Sequence, residues 1–249
     1  MQKASMWKRL AAWILDAILT AVLAVGFGVL LSAALGFDGY YDSLQGAYDQ
    51  YEAQYGVDFQ VTADAYQALT PDQKAKYDTA YEALINDAQV IRDYNMVVNL
   101  SLIITSIGIL LAILALEFVV PLLLKNGQTV GKKAFGIGLV TADCIRVSTL
   151  QLFVRALLGK YTVETMIPVY ILLMFLWGTM DMTGTVVLGA LLLAQVLCIG
   201  ISRNNTAIHD KLAGTVTIDL PSQKIFDSPE ALIEYTKRIA AERAQRENY

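Results

Sequence analysis

Asp16 is the one carboxylate in the apolar run from residue 10 to residue 36, and Arg9 stands seven positions before it. An ionised aspartate at the centre of a membrane helix costs roughly 2.5–3.5 kcal/mol, so it must face protein or water and find a partner. Seven residues are two helical turns, which puts both side chains on one face about 10 Å apart. Thr20 continues that stripe. Arg9 leans towards the N-terminal side and snorkels to the headgroups, so the two are not expected to pair directly. Asp16 then needs a cation from elsewhere, such as Arg155, Arg203 or Lys132, or it carries a proton. Two roles stay open: an ion pair that locks the first span in place, and a proton or cation site. Glu117, shortly before Pro121, is expected to snorkel or to be neutral, and Glu164 to lie at the interface.

Other familiar constellations fail on spacing. The stretch GQTVGKK is one residue short of G-x-x-x-x-G-K, and Lys133 stands where a magnesium-binding Ser or Thr is required. His209, the single histidine, has no cysteine near it in sequence, so a metal site is not expected. Next to Asp210 it reads as a hydrogen-bonded structural residue. Cys144 and Cys198 are too few for a disulfide framework. No nucleophile–base arrangement is present, so the chain is not expected to be an enzyme or to carry a cofactor.

The elements that must position these groups are membrane helices. The 249 residues are 55% hydrophobic and 17% charged, with a mean hydropathy of +0.46. A span needs roughly 20 apolar residues, and four stretches are read as spans: 10–35, 95–124, 165–178 with its flanks, and 184–201. The runs do not alternate, which excludes a β-barrel. The first run is longer than the apolar core of a signal peptide and holds an acid, so an uncleaved span is expected. The third carries Pro168, and a kinked or partly interfacial helix is an alternative there. The fold class is thus an all-α polytopic membrane protein with about four transmembrane helices, an extracytoplasmic helical hairpin and a small cytoplasmic β element. Its parts are 1–36, 37–94, 95–124, 125–161, 162–201 and 202–249.

Lys/Arg bias sets the orientation. Lys3, Lys8 and Arg9 precede span one, Lys125, Lys132 and Lys133 follow span two, and Arg203 and Lys211 follow span four, while the link TMDMTG has no positive charge. Both termini are expected in the cytoplasm of a prokaryotic inner membrane. Residues 37–93, expected outside, hold eleven Asp and Glu against Lys74, Lys76 and Arg92. There Leu44, Tyr48, Tyr51 and Tyr55 recur at helical spacing. Thr70, Pro71 and Gln73 form a capping box that opens a second helix, striped with Tyr77, Tyr81, Leu84, Ala88 and Ile91. That helix is expected to run unbroken into span two. The hairpin is either a simple cap or a docking surface, with the tyrosines as partner-binding candidates. On the inner side, 132–135 is expected as a short helix, FGIGLVTADCIRV as strand–turn–strand and GTVTIDL as a further strand. Ser148 and Gln151 form a capping box for a helix carrying Arg155, and a charged helix follows Ser228.

Together, Arg9, Asp16, GQTVGKKAFGIGLVTAD and AIHDKLAGTVTI resemble the RDD family of membrane proteins, named for an arginine and two aspartates. Arg9 and Asp16 match the first two signature residues and Asp210 the other aspartate, and Arg155 stands where the family commonly has an arginine. The resemblance covers the spans and inner elements, not the tyrosine-rich hairpin or the tail from Pro221. Where Cys144 sits the family often has glycine, which leaves the turn type open. Members are mostly of unknown activity, and the resemblance implies transport, in some cases cation/proton antiport. Two functions follow: transport of a cation or small solute coupled to protons near Asp16, with a homo-oligomer expected, or an accessory scaffold gripping partner proteins. No nucleic-acid partner is expected.

Overall fold

The computed structural model describes residues 4–124, 126–176, 182–201 and 206–247. Among them, three helices are long and apolar enough to cross a membrane: Met6–Leu35, Ala88–Leu124 and Thr149–Phe175. A fourth apolar helix, Met182–Ile201, is shorter over its apolar stretch Met182–Cys198. The chain is therefore a multi-pass, largely helical membrane protein with one small sheet. Lys3, Lys125, Arg203 and residues 179–181 of the TMDMTG link, all used in the orientation argument, lie outside the described residues.

The chain divides into two compact units, Met1–Ala24 with Ile109–Tyr249, and Val25–Gly108. The first unit holds most of helix α1 (Met6–Leu35), whose 30 residues include Asp16 as a buried side chain. Helix α5 (Ala88–Ile113) continues as a π-helical segment, Leu114–Val119, and then α6 (Val120–Leu124). After the short helix α7 (Val130–Ala134) and strand β1 (Ile137–Thr141) comes α8 (Thr149–Val154), opened by the expected capping box of Ser148 and Gln151. It runs without a break into a second π-helical segment, Arg155–Met166, and α9 (Ile167–Leu176). The third span thus starts well before residue 165. Each π-segment ends two residues ahead of a proline, Pro121 or Pro168. Proline removes a backbone donor and crowds the preceding turn, and a wider turn absorbs both defects. Glu117 and Arg155 stand on these widened turns.

Strand β2 (Thr215–Asp219) follows α10 (Met182–Ile201) and α11 (Ile208–Ala213) and pairs antiparallel with β1, from Ile137 opposite Asp219 to Thr141 opposite Thr215. Val140, Val216 and Ile218 form its buried core. The strand expected after the β1 turn does not form: Arg146 makes one bridge to Val140, and its N–H donates instead to the Phe226 carbonyl. Cys144 occupies the turn at φ 60°, a left-handed conformation that costs a non-glycine residue and that glycine adopts freely. Helix α12 (Pro229–Glu247) starts at Ser228, whose hydroxyl accepts the Ala231 N–H.

In the second unit, α2 (Phe37–Tyr55), α3 (Ala63–Ala68) and α4 (Pro71–Ile85) build the hairpin, and Thr70 and Gln73 form the capping box. Its core is Leu44, Leu84 and Val90, with Tyr48, Tyr51 and Phe59 packed against it. The second helix does not run on into the span. It stops at Ile85, and the Asp87 carboxylate caps a new helix by accepting the N–H groups of Gln89 and Val90. A competing side-chain acceptor outweighs the unbroken apolar pattern.

Candidate functional site

Asp16 is 3% exposed, and among the described residues its hydrogen-bond partners are not cations. One carboxylate oxygen accepts the Thr129 hydroxyl at 2.5 Å and the other the Gly131 N–H at 2.7 Å. Hydrogen bonds can hold a buried carboxylate as a counter-ion does. This corrects the expected pairing of Asp16 with Arg155 or Lys132; the third candidate, Arg203, lies outside the described residues. Thr129 also caps α7 by accepting the Lys132 N–H. Gln128 donates to the Ile137 carbonyl. Gly127 turns at φ 60°, where a Cβ would lie 2.9 Å from Leu139. So GQTVGK is a clamp: each residue before the lysine except Val130 ties α7 either to α1 or to the sheet.

Arg155, 1% exposed, is the second anchor. Its Nε donates to Asp210 at 2.9 Å and its Nη1 to Glu117 at 2.5 Å. Lys160 donates to the other Glu117 oxygen at 2.5 Å, and Lys132 Nζ lies 3.9 Å from Glu117. Glu117 is therefore buried and paired with two cations rather than snorkelling. Thr215 and Thr217, on one face of β2, donate their hydroxyls to Asp210 at 3.2 and 3.4 Å. Arg9 approaches Asp210 at 4.0 Å. The Glu164 carboxylate, 18% exposed at the side chain, accepts from the His209 backbone N–H at 3.1 Å and faces His209 Nδ1 at 2.7 Å. Gly159 lets this pair form, because a Cβ there would meet the His209 Cβ at 2.5 Å.

These charged side chains, with His209 and Thr217, line one cavity of about 730 Å³ within the first unit. Of the candidate residues, Arg9, Asp16, Glu117, Arg155 and Asp210 all reach it. Tyr48, Tyr51, Tyr55, Tyr77 and Tyr81 do not; they lie in the hairpin. There Phe59 takes Tyr48, Tyr77 and Tyr81 edge-on, Tyr51 stacks on Tyr55 and donates to Asp87, and Tyr81 is 45% exposed. Sequence reasoning missed Thr129, Gly131, Lys160, Thr215 and Thr217. The alternation of Thr215 and Thr217 on a strand was the one local sign of a shared face.

Arg9, Asp16 and Asp210 thus meet at one buried site reached from both ends of the chain. A family model described as the RDD family matches residues 3–214. The chain belongs to the RDD family. The match spans the hairpin, which the motifs did not include, and ends before β2. Neither the curated proteins nor the solved structures hold a match to the chain.

The electrostatics of this RDD site follow from burial and pairing. Burial works against the Asp210 charge, but His209 when protonated, Arg155 and Lys132 outweigh it and hold the carboxyl well below its usual range. Burial also pushes the Lys132 ammonium down to about 8, aided by Arg155 and opposed by Glu117. His209 is pushed down from 6.5 by burial, against the pull of Asp210, and Arg155 adds to the burial effect. Its Nδ1 lies 2.7 Å from Glu164 and its Nε2 3.4 Å from Asp210. An added proton on Nε2 joins the two carboxylates through one imidazolium. Because the folded state binds this proton less readily than the unfolded chain, stability should fall as pH drops through the imidazole range. The slope is at most about 1.4 kcal/mol per pH unit for one proton. Thermal unfolding between pH 7.5 and 5.5 should show this fall, and His209→Asn should flatten it. An unchanged slope in the variant would assign the titration to another group.

Proposed function

We propose that the protein moves a cation or small solute across the membrane, coupled to protons, through the cavity beside Asp16, and catalyses no covalent reaction. One observation carries this reading. Four cations (Arg9, Lys132, Arg155, Lys160) and four carboxylates (Asp16, Glu117, Glu164, Asp210) line a single cavity among apolar helices. Such a charge-dense site is costly to build inside a membrane protein and marks an ion or substrate pathway. His209 and Glu164 supply a proton site on the same wall. The orientation that fits the charge bias places both termini in the cytoplasm of an inner membrane.

The test is cation-driven proton flux in proteoliposomes, with sodium, potassium and lithium gradients, comparing the wild type with Asp16→Asn. Asparagine keeps one acceptor for Gly131 and can donate to the Thr129 oxygen, so the variant should fold at a cost of about 1.5–3 kcal/mol. Flux should fall at least tenfold. Absence of flux in the wild type under all three gradients would refute the reading.

A second reading, an accessory subunit, rests on the hairpin. Its carboxylates far outnumber its cations, and Tyr41, Tyr81 and Tyr94 stay exposed. That reading expects a partner protein or second copy to co-purify, and to be lost when residues 40–91 are removed.

A further inference from the structure

The charges around the cavity balance in number but not in availability. Every carboxylate is saturated by protein donors: Asp16 by Thr129 and Gly131, Glu117 by Arg155 and Lys160, Glu164 by His209, and Asp210 by Arg155 and two threonines. The cations are not. Arg9 comes no closer than 4.0 Å to Asp210, and Lys132 no closer than 3.9 Å to Glu117, both beyond hydrogen-bonding range. Lys160 gives one of its three donors to Glu117. All three side chains line the cavity and are well shielded, with side-chain exposures of 14%, 9% and 15%. Much of the remaining lining is apolar, including Leu10, Trp13, Ile109, Val163, Leu188 and Leu191. Unused cationic donors within an otherwise largely apolar lining fit a ligand with an oxyanion head and an apolar body. The volume falls in the 300–1,000 Å³ range of small-molecule sites.

We propose that this cavity binds a single-chain anionic amphiphile, its oxyanion head held by Arg9, Lys132 and Lys160 and its alkyl chain laid along the apolar lining. The head completes the donors of Lys132, whose burial otherwise disfavours its charge. The inference rests on reading the cavity as a binding site. Its test measures occupancy rather than flux, so the two fail separately.

Trp13 lines the cavity and reports on it. Protein in a non-ionic detergent, with its other two tryptophans replaced by phenylalanine, is titrated with 11-bromoundecanoate, whose bromine quenches a neighbouring indole. The expected result is saturable quenching of Trp13 beyond that produced by neutral 11-bromoundecanol. Lys132→Gln and Arg9→Gln should each weaken it at least tenfold. Among the described residues Lys132 makes no side-chain hydrogen bond to a carboxylate, so its replacement leaves Glu117 paired with Arg155 and Lys160. Ala21→Phe, which fills the cavity from α1, should weaken it similarly without touching a charge. Equal quenching by acid and alcohol, or affinity unchanged in both charge variants, would overturn the proposal. Full displacement by inorganic phosphate at the fatty acid's own half-saturating concentration would also overturn it, since the apolar body would then contribute nothing.

Discussion

Arg155→Met is expected to destabilise the protein by about 3–5 kcal/mol, because removing one partner of a buried ion pair leaves its counter-charge stranded. Here two carboxylates are stranded, Glu117 and Asp210, each 2% exposed or less at the side chain. Asp210 keeps its two threonine donors and Glu117 keeps Lys160. That partial compensation places the cost within this range rather than above it. At about 2–4 °C per kcal/mol for a chain of this size, the unfolding midpoint in detergent should drop by on the order of 10 °C. Arg155→Lys should recover less than half of the loss. An ammonium cannot reach two carboxylates in two directions as a guanidinium does. Adding Glu117→Gln to Arg155→Met should return part of the stability, since it removes one of the uncompensated charges. A double variant no more stable than the single one would mean that Glu117 is held chiefly by Lys160.

The cost of losing Arg155 was not readable from spacing, and the reason is general. Local signals were legible. The capping boxes at Thr70 and Ser148 are three-residue patterns, and both form. The helix after Ser228 and the strand at 215–219 were legible for the same reason. The site itself was legible only as a set of candidates: Arg9, Asp16, Glu117, Arg155 and Asp210 were singled out and all meet. Their partners were not, because Asp16 lies 113 residues from Thr129 and 115 from Gly131. The expected cation for Asp16 came from matching charge with charge, whereas backbone N–H and hydroxyl donors serve as well and leave no charge in the sequence. The same limit hid Phe59, a loop residue whose ring meets Tyr48, Tyr77 and Tyr81 of the hairpin. Where two local signals competed, the reading chose wrongly. The apolar stripe through residues 77–91 promised one helix, and the Asp87 cap divided it.

Gly131→Ala should be as damaging as losing Arg155, for a purely steric reason. A Cβ at residue 131 would run into the Ala12 carbonyl oxygen and stand 2.9 Å from the Asp16 carboxylate. The first of these is helix backbone and cannot rotate away, so α7 must retreat from α1. Overpacking of this kind costs about 1–3 kcal/mol. The retreat also breaks the Gly131 N–H bond to a buried carboxylate, worth about 1.5–3 kcal/mol. A loss of about 3–5 kcal/mol is expected, read as a lower unfolding midpoint or a smaller folded fraction on size exclusion. Gly26→Ala in α1 is the control, because a Cβ there meets nothing within 4 Å. It should be neutral or should stabilise the helix by up to about 1 kcal/mol. The sharper measurement is the cycle with Asp16→Ala. Both changes sever the same tether between α1 and the GQT segment, and a tether can be lost only once. The double variant should therefore cost at least 1 kcal/mol less than the sum of the singles, as contacting residues do. Strict additivity would mean that the Asp16 carboxylate and the Gly131 approach act independently, and that α1 is held to α7 by packing alone.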